Sequence, residues 1–106
     1  MPYEIELTDI ALEEIDTLRA FDRRRIVEEI EKRLTHEPMV ETKYRKQMRD
    51  PLPAFAHVGP LWELRVGAFR VVYNVSEESQ TVYVRAVRLK GRGQTTGDIF
   101  HERNDS

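Results

Sequence analysis

Residues 61–89 read LWELRVGAFRVVYNVSEESQTVYVRAVRL, and this stretch decides the fold. Apolar and polar side chains alternate in three segments, LWELRV, FRVVYNV and QTVYVRAVR, which is typical of half-buried strands. A turn at Gly67-Ala68 and a second turn at 76–79 would join these segments into an antiparallel meander. One face is then entirely apolar and predicts the core, which comprises Trp62, Leu64, Val66, Phe69, Val71, Tyr73, Val75, Val82, Val84 and Ala86.

The opposite face of the predicted sheet carries a row of arginines. In this register Arg65 lies opposite Arg70, and Arg70 lies opposite Arg85. Like charges that face each other across strands are unfavourable, so the row needs a reason. Charge pattern alone favours compensation by Glu63 on the same face. The alternative is an anion site, because guanidinium groups bind phosphate and carboxylate, with Tyr83 available to stack on a base.

A strand and a helical hairpin precede the meander. Residues 3–7 alternate as in a strand, and Thr8 is suited to cap the helix that follows. Asp22 is suited to cap a second helix, which should end near Thr35 because Pro38 disfavours helical geometry just before it. Both helices carry an apolar stripe that should cover the apolar face of the sheet: Ala11, Leu12, Ile15 and Leu18, then Ile26, Val27, Ile30 and Leu34. Glu13, Glu14 and Asp16 should face water.

Residues 35–60 form a long connection, and a connection of that length in a small domain is more often functional than idle. It contains a basic run of Lys43, Arg45, Lys46 and Arg49. A glycine-rich basic segment follows the last strand. We expect residues 1–103 to form a single domain, with a polar tail at 104–106.

Composition narrows the function classes. The chain has 106 residues and no cysteine, which excludes disulfides, thiolate metal sites and cysteine nucleophiles. No spacing of His, Asp and Glu predicts a metal site, and no cofactor is expected. The first residues lack the pattern of a signal peptide and no apolar run is long enough to span a membrane, so we expect a cytoplasmic protein without a membrane partner. Residues 1–42 carry six basic against twelve acidic side chains, whereas residues 43–103 carry eleven basic against six acidic, so the second half could attract nucleic acid or an acidic partner.

The sequence resembles the RelE/ParE superfamily of toxins from type II toxin-antitoxin modules. The resemblance rests on YEIELTDIALEEI at 3–15, ETKYRKQMR at 41–49, LWELRVGAFRVVYNV at 61–75 and TVYVRAV at 81–87. It implies an α+β fold of order β-α-α-β-β-β, an antiparallel strand meander with a helical hairpin packed on one face. It also implies a cognate antitoxin protein as partner. In the RelE branch the implied activity is cleavage of messenger RNA on the ribosome, and in the ParE branch the implied target is DNA gyrase, without nuclease chemistry.

The resemblance also implies roles for individual residues. In the RelE pattern Arg65, Arg70 and Lys90 would stabilise charge during RNA cleavage, and His101 would carry the proton. Three positions depart from that pattern: Leu61 and Glu63 stand where RelE-type enzymes have basic residues, and Phe100 stands where they have a tyrosine. The candidate RNA-binding residues are Lys43, Arg45, Lys46, Arg49, Tyr83, Arg85, Arg88 and Arg92.

Two functions follow from the resemblance. The first, which we expect, is a ribosome-associated mRNA endoribonuclease that inhibits translation. The second is a non-catalytic toxin that binds gyrase as ParE-type toxins do, or a degenerate, inactive member of the family. The row of arginines favours the first, whereas the departures at Leu61, Glu63 and Phe100 favour the second.

Overall fold

The described residues form an α+β fold in which two helices pack on a five-stranded mixed sheet. The structure is a computed structural model and describes residues 2–48 and 59–91. The sheet order is β1-β5-β4-β3-β2, with β1 parallel to β5 and the other pairs antiparallel. The elements are β1 (Glu4–Leu7), α1 (Asp9–Asp16), α2 (Ala20–Leu34), β2 (Arg45–Gln47), β3 (Trp62–Val66), β4 (Phe69–Ser76) and β5 (Thr81–Leu89).

The element order confirms the predicted fold class and adds one strand. The meander β3-β4-β5 is present as expected. The long connection predicted for residues 35–60 contains the short strand β2, which pairs with β3 and places Lys46 opposite Glu63. The three residues of β2 are too few to show an alternating pattern of apolar and polar side chains, so the strand could not be predicted from the sequence.

The first hairpin of the meander has the predicted register. Arg65 lies opposite Arg70, and Val66 lies opposite Phe69. Gly67 adopts a φ of 58°, which a residue with a side chain rarely adopts, at the first position of the two-residue turn. The guanidinium of Arg25 in α2 lies against Gly67, with both terminal nitrogens 2.9 Å from the place where a Cβ would be. The conformation therefore favours glycine at this position, and a Cβ would displace the flexible end of the Arg25 side chain.

The second hairpin departs from the predicted register. Its turn comprises residues 77–80, one position later than predicted. The last turn residue, Gln80, adopts a φ of 54°, and glutamine is not a residue type from which this conformation can be predicted. A β-bulge then shifts the pairing between Val72 and Tyr73. Arg70 consequently lies opposite Arg88, and the prediction that it faces Arg85 is wrong. The same shift brings Ala86 opposite Val72, outside the predicted core.

The helices cover the predicted apolar face of the sheet, which we call the inner face. Thr8 caps α1, and its hydroxyl also donates to the Val84 carbonyl at 2.9 Å. α2 is capped by Arg19 rather than Asp22, which lies inside its first turn, and the helix ends at Leu34 as predicted. The core of buried residues combines Ala11, Ile15, Ile26, Ile30 and Leu34 with Trp62, Leu64, Val66, Phe69, Val71, Tyr73, Val75, Val82, Val84 and Val87.

A second, smaller apolar cluster lies on the other side of the sheet, the outer face. It contains Leu61, Val72 and Ala86, with Ile10 and Met48 packed against it. Helix α1 contributes to both clusters, since Ile10 belongs to the outer one while Ala11 and Ile15 belong to the inner one. Near β5 the sheet therefore lies between two apolar clusters, one on each face. Within the described residues, neither helix is long and apolar enough to cross a membrane.

Candidate functional site

The candidate site lies on the outer face, where Glu63 stands between two arginines. Its Oε2 lies 3.4 Å from Arg65 Nε and 3.8 Å from Arg70 Nε. Glu63 is only 6% exposed, although it is an acid on a sheet face. Two guanidinium groups therefore share one nearly buried carboxylate, which is the compensation that the charge pattern favoured.

Arg70 is held inside the protein by its own hairpin. It is 9% exposed, and its Nη1 donates to the carbonyl oxygens of Gly67 and Phe69 at 2.9 Å each. Burial lowers the pKa of the Arg70 guanidinium from its ordinary value; neighbouring Glu63 opposes this shift and Arg65 adds to it. Because an arginine pKa starts so high, the group stays charged. Its Nη1 is spent on the two carbonyls of the hairpin, while its Nε is buried without a hydrogen-bond partner among the described residues.

The third arginine of the row is Arg88, and it too has a partner. Its Nε donates to Glu14 Oε2 at 2.7 Å, while Glu14 Oε1 accepts the backbone N–H of Val87 at 2.8 Å. Glu14 was predicted to face water, and that prediction is wrong. Ile10 and Glu14 are four residues apart, so they lie on the same side of α1. This spacing in the sequence could have indicated that the helix has a second buried side.

Arg85 occupies the bulge and is bound to its neighbours on the outer face. Its Nε donates to Asn74 Oδ1 at 2.6 Å, and its guanidinium lies 5.3 Å from the centre of the Tyr83 ring. Asn74 is completely buried and was not singled out in the sequence. Arg85 and Tyr83 are thus neighbours on the outer face, and stacking of the Tyr83 ring on a base stays a prediction.

The basic run of the connection does not form one surface. Arg45 points to the inner side, where it donates to the carbonyl of Arg33 at the end of α2. Arg45 thus connects β2 to the end of α2, and its role in RNA binding stays a prediction. Lys43 is exposed beside the Tyr44 ring, on which the Arg33 guanidinium also packs at 3.8 Å. Of the described members, only Lys46 stands on the outer face, exposed and opposite Glu63.

Of the remaining residues named in the sequence analysis, two lie within the described part of the chain and four lie outside it. Lys90 lies at the end of β5, where its backbone N–H donates to the Ala68 carbonyl at 2.8 Å. Leu61 is completely buried in the outer cluster, so this departure from the RelE pattern supplies packing. Arg49, Arg92, Phe100 and His101 lie outside the described residues.

Among residues 2–48 and 59–91, the outer face offers positive charge from Arg65 and Lys46. Arg65 has a side chain that is 48% exposed, and with Lys46 it could bind a phosphate or carboxylate. The Glu63 carboxylate beside Arg65 is already engaged by two guanidinium groups. Within the described ranges, no group of three or more His, Asp and Glu side chains is placed to hold a metal ion.

The family model for the ParE toxin of the type II toxin-antitoxin system parDE matches residues 5–92. The chain belongs to the ParE toxin family. The match covers both described helices and the five described strands except for the first residue of β1, and it confirms the resemblance that the hairpin sequence indicated. The protein is accordingly a toxin of a type II toxin-antitoxin module. No protein of curated function matches the sequence.

Solved structures with this fold come from bacteria and archaea. The toxin is similar to a chain of the RelBE2 toxin-antitoxin complex of Mycobacterium tuberculosis, with a TM-score of 0.67 and 23% identity over 85% of this chain and 100% of that one. The archaeal RelE-RelB complex of Pyrococcus horikoshii gives 0.67 and 21%, over 88% and 100%. A variant of the Escherichia coli toxin RelE with two arginines replaced by alanine, in the free state, gives 0.52 and 18%, over 94% and 95%. At these identities the likeness concerns the fold.

Proposed function

We propose that this toxin acts by binding a macromolecular target, with DNA gyrase as the target that the ParE branch implies, and that a cognate antitoxin silences it. The observation that carries the proposal is the position of Glu63 between Arg65 and Arg70. A carboxylate at this position removes much of the positive field that RNA cleavage requires.

The chemistry of RNA cleavage explains why this matters. Attack of a 2′-hydroxyl on the neighbouring phosphate needs cations that face the developing negative charge and groups that move protons. On the outer face Arg70 spends Nη1 on two carbonyls, Arg88 is paired with Glu14, and Arg85 is bound to Asn74. The arginines are thus arranged to stabilise the sheet, which supports a binding function over catalysis.

Solved structures with a similar fold support an antitoxin as the partner. Two of the similar structures are toxin-antitoxin complexes, RelBE2 and RelE-RelB. We expect the reading frame beside this gene to encode the antitoxin, a small protein that binds the toxin directly.

A second candidate function is the ribosome-associated mRNA endoribonuclease, and one observation favours it. Lys46 on β2 lies opposite Glu63, so a neighbouring strand supplies a positive charge close to the position where Glu63 departs from the RelE pattern. Lys46 and the half-exposed Arg65 would then bind the RNA phosphate, with Arg70, Lys90 and His101 in the roles that the resemblance implies.

Expression of the toxin in a bacterial host distinguishes the two functions. We expect growth arrest with gyrase supercoiling blocked and no new messenger RNA ends in primer extension. Arg65→Ala tests the nuclease, because this side chain is half exposed and its loss leaves the core intact. The exposed Arg24→Ala on α2 is the matched control. New RNA ends that fall about 100-fold with Arg65→Ala, and not with the control, would reject the binding toxin in favour of the nuclease.

A further inference from the structure

Two large apolar side chains are exposed at one end of the toxin. Phe21, in the first turn of α2, is 69% exposed, and Leu89, at the end of β5, is 59% exposed. One exposed apolar residue needs no explanation on a protein surface, but two in the same region, both at the ends of rigid elements, form a candidate contact surface.

The contacts of the helices place both residues at the tip of the β3–β4 hairpin. Glu14 binds Val87 and Arg88, so the end of α1 and the turn into α2 lie beside the end of β5. One helical turn beyond Phe21, the guanidinium of Arg25 touches Gly67 in the hairpin turn. We name the surface made by Phe21, Arg25, Leu89 and Lys90 the hairpin-end patch.

The patch is held in place by polar contacts that surround it. Arg23 Nη2 donates to the Leu18 carbonyl at 2.9 Å and to the Asp16 carbonyl at 3.4 Å, which fixes the turn between the helices. The backbone N–H of Lys90 donates to the Ala68 carbonyl at 2.8 Å, which fixes the end of β5 to the hairpin turn. A surface that is already ordered loses little entropy when a partner binds to it.

The charge of the patch selects the chemistry of the partner. Residues 19–25 contain four arginines and one acid, Asp22, although the rest of the first 42 residues is predominantly acidic. These arginines lie at the start of α2, where the helix dipole disfavours positive charge. Arg23 stabilises the turn between the helices, whereas the exposed Arg25 would attract carboxylates of a partner.

We propose that the hairpin-end patch docks an acidic segment of the antitoxin, which packs an apolar side chain against Phe21 and Leu89 and presents carboxylates to Arg25 and Lys90. The proposal rests on the antitoxin partnership proposed above. It adds the surface, the anchoring residues and the charge of the segment that binds there.

Titration calorimetry with the purified protein encoded beside the toxin gene tests the proposal. Phe21→Glu should weaken binding at least about 30-fold, as expected for the loss of an aromatic anchor. Leu12→Glu is the matched control, since Leu12 is 43% exposed on α1 but lies outside the patch, and it should change binding less than threefold. Arg25→Gln should weaken binding and reduce its dependence on salt, while Lys32→Gln at the other end of α2 should do neither. Thermal unfolding of each variant reports whether the fold is kept.

The outcomes separate this proposal from the proposed function. If the neighbouring protein does not bind the wild-type toxin at all, the antitoxin partnership itself is rejected. If it binds and Phe21→Glu binds equally well, the hairpin-end patch is rejected and the partnership stands. Binding that is indifferent to ionic strength would reject an acidic segment. Self-association of the free toxin in sedimentation, abolished by Phe21→Glu, would assign the patch to a second copy of the chain instead.

Discussion

At the centre of the outer face, Glu63 supplies the negative charge that allows Arg65 and Arg70 to lie side by side. Glu63→Gln keeps the size of the side chain and removes that charge, leaving the buried Arg70 next to Arg65 without compensation. We expect the free energy of unfolding to fall by about 1–3 kcal/mol, since one partner of a largely buried ion pair is lost. Urea denaturation measures the change.

The control for this variant is Glu78→Gln, which removes an acid from the exposed β4–β5 turn. It should change stability by less than about 0.5 kcal/mol. Equal effects of the two variants would mean that net charge, and not the position of Glu63 between the arginines, sets the stability of the outer face.

A second residue couples the fold to alkaline pH. Tyr73 is completely buried, its hydroxyl donates to the Pro38 carbonyl, and burial raises its pKa well above the ordinary value, with nearby Arg45 acting in the opposite direction. The unfolded chain loses this proton above about pH 10 while the folded protein keeps it. The contribution of Tyr73 to stability is therefore complete below pH 10 and is lost as the pH rises toward the folded pKa.

Tyr73→Phe tests this linkage. At pH 8 the variant should be less stable by about 1 kcal/mol, because the hydrogen bond to Pro38 is absent. Between pH 8 and pH 11 its unfolding free energy should fall less steeply than that of the wild type, by up to about 1.4 kcal/mol over the last pH unit. Parallel pH profiles from urea denaturation would show that Tyr73 does not carry the effect.

The cross-strand neighbours in the arginine row could be predicted only where the sequence contains a recognisable turn residue. Gly67 marks the first turn, so the sequence placed Arg65 opposite Arg70 correctly. Gln80 gives no such mark and the bulge near Val72 gives none either, so Arg88 rather than Arg85 faces Arg70. The family resemblance was available from the hairpin sequence, and compensation by Glu63 was predicted from the charge pattern. The pairing of Arg88 with Glu14 depends on this shift and could not be predicted.

Among the elements, β2 shows how a short strand can lie at a sheet edge without inviting another chain. The N–H of Thr42 donates to the Arg45 carbonyl at 3.0 Å, and Glu41 Oε2 accepts the N–H of Gln47 at 3.2 Å. The preceding loop thus occupies backbone groups that an added strand would need. Three residues that alternate over less than two periods cannot be recognised from sequence, so this strand required the structure.

At the junction between α1 and β5, the Glu14 side chain binds two groups of β5 at once. Glu14 accepts the Val87 N–H with one oxygen and the Arg88 guanidinium with the other. We expect Glu14→Ala to lower the free energy of unfolding by about 1–3 kcal/mol, because both donors lose their acceptor. The neighbouring Glu13→Ala, exposed on the same helix, should cost less than about 0.5 kcal/mol.

Hydrogen exchange makes this test local. In Glu14→Ala the Val87 amide should exchange faster relative to other β5 amides, because its acceptor is gone. In Glu13→Ala the exchange of Val87 should match that of the wild type. An unchanged Val87 amide in the Glu14 variant would mean that water or another acceptor replaces the carboxylate without loss.

At the scale of the whole molecule, the sheet lies between two apolar clusters that α1 connects. Ala11 and Ile15 pack in the inner cluster, while Ile10 packs in the outer one. Loss of either cluster should therefore loosen α1 and with it the other cluster, so that the domain unfolds as one cooperative unit. The inner cluster could be predicted from the alternation of the strands, but the outer one could not, because Leu61 and Ala86 are brought together by β2 and the bulge.

Val72→Ala tests this cooperativity from the outer face. Val72 and its inner-face neighbour Val71 are both completely buried, so Val71→Ala is the matched comparison. Each should lower the free energy of unfolding by about 1–3 kcal/mol. Trp62, the single tryptophan of the chain, reports β3 by fluorescence, and far-ultraviolet circular dichroism reports the helices. In both variants the two signals should change at the same urea concentration, because α1 belongs to both clusters. If, in Val72→Ala alone, the fluorescence changed at a lower urea concentration than the circular dichroism, the outer cluster would unfold independently.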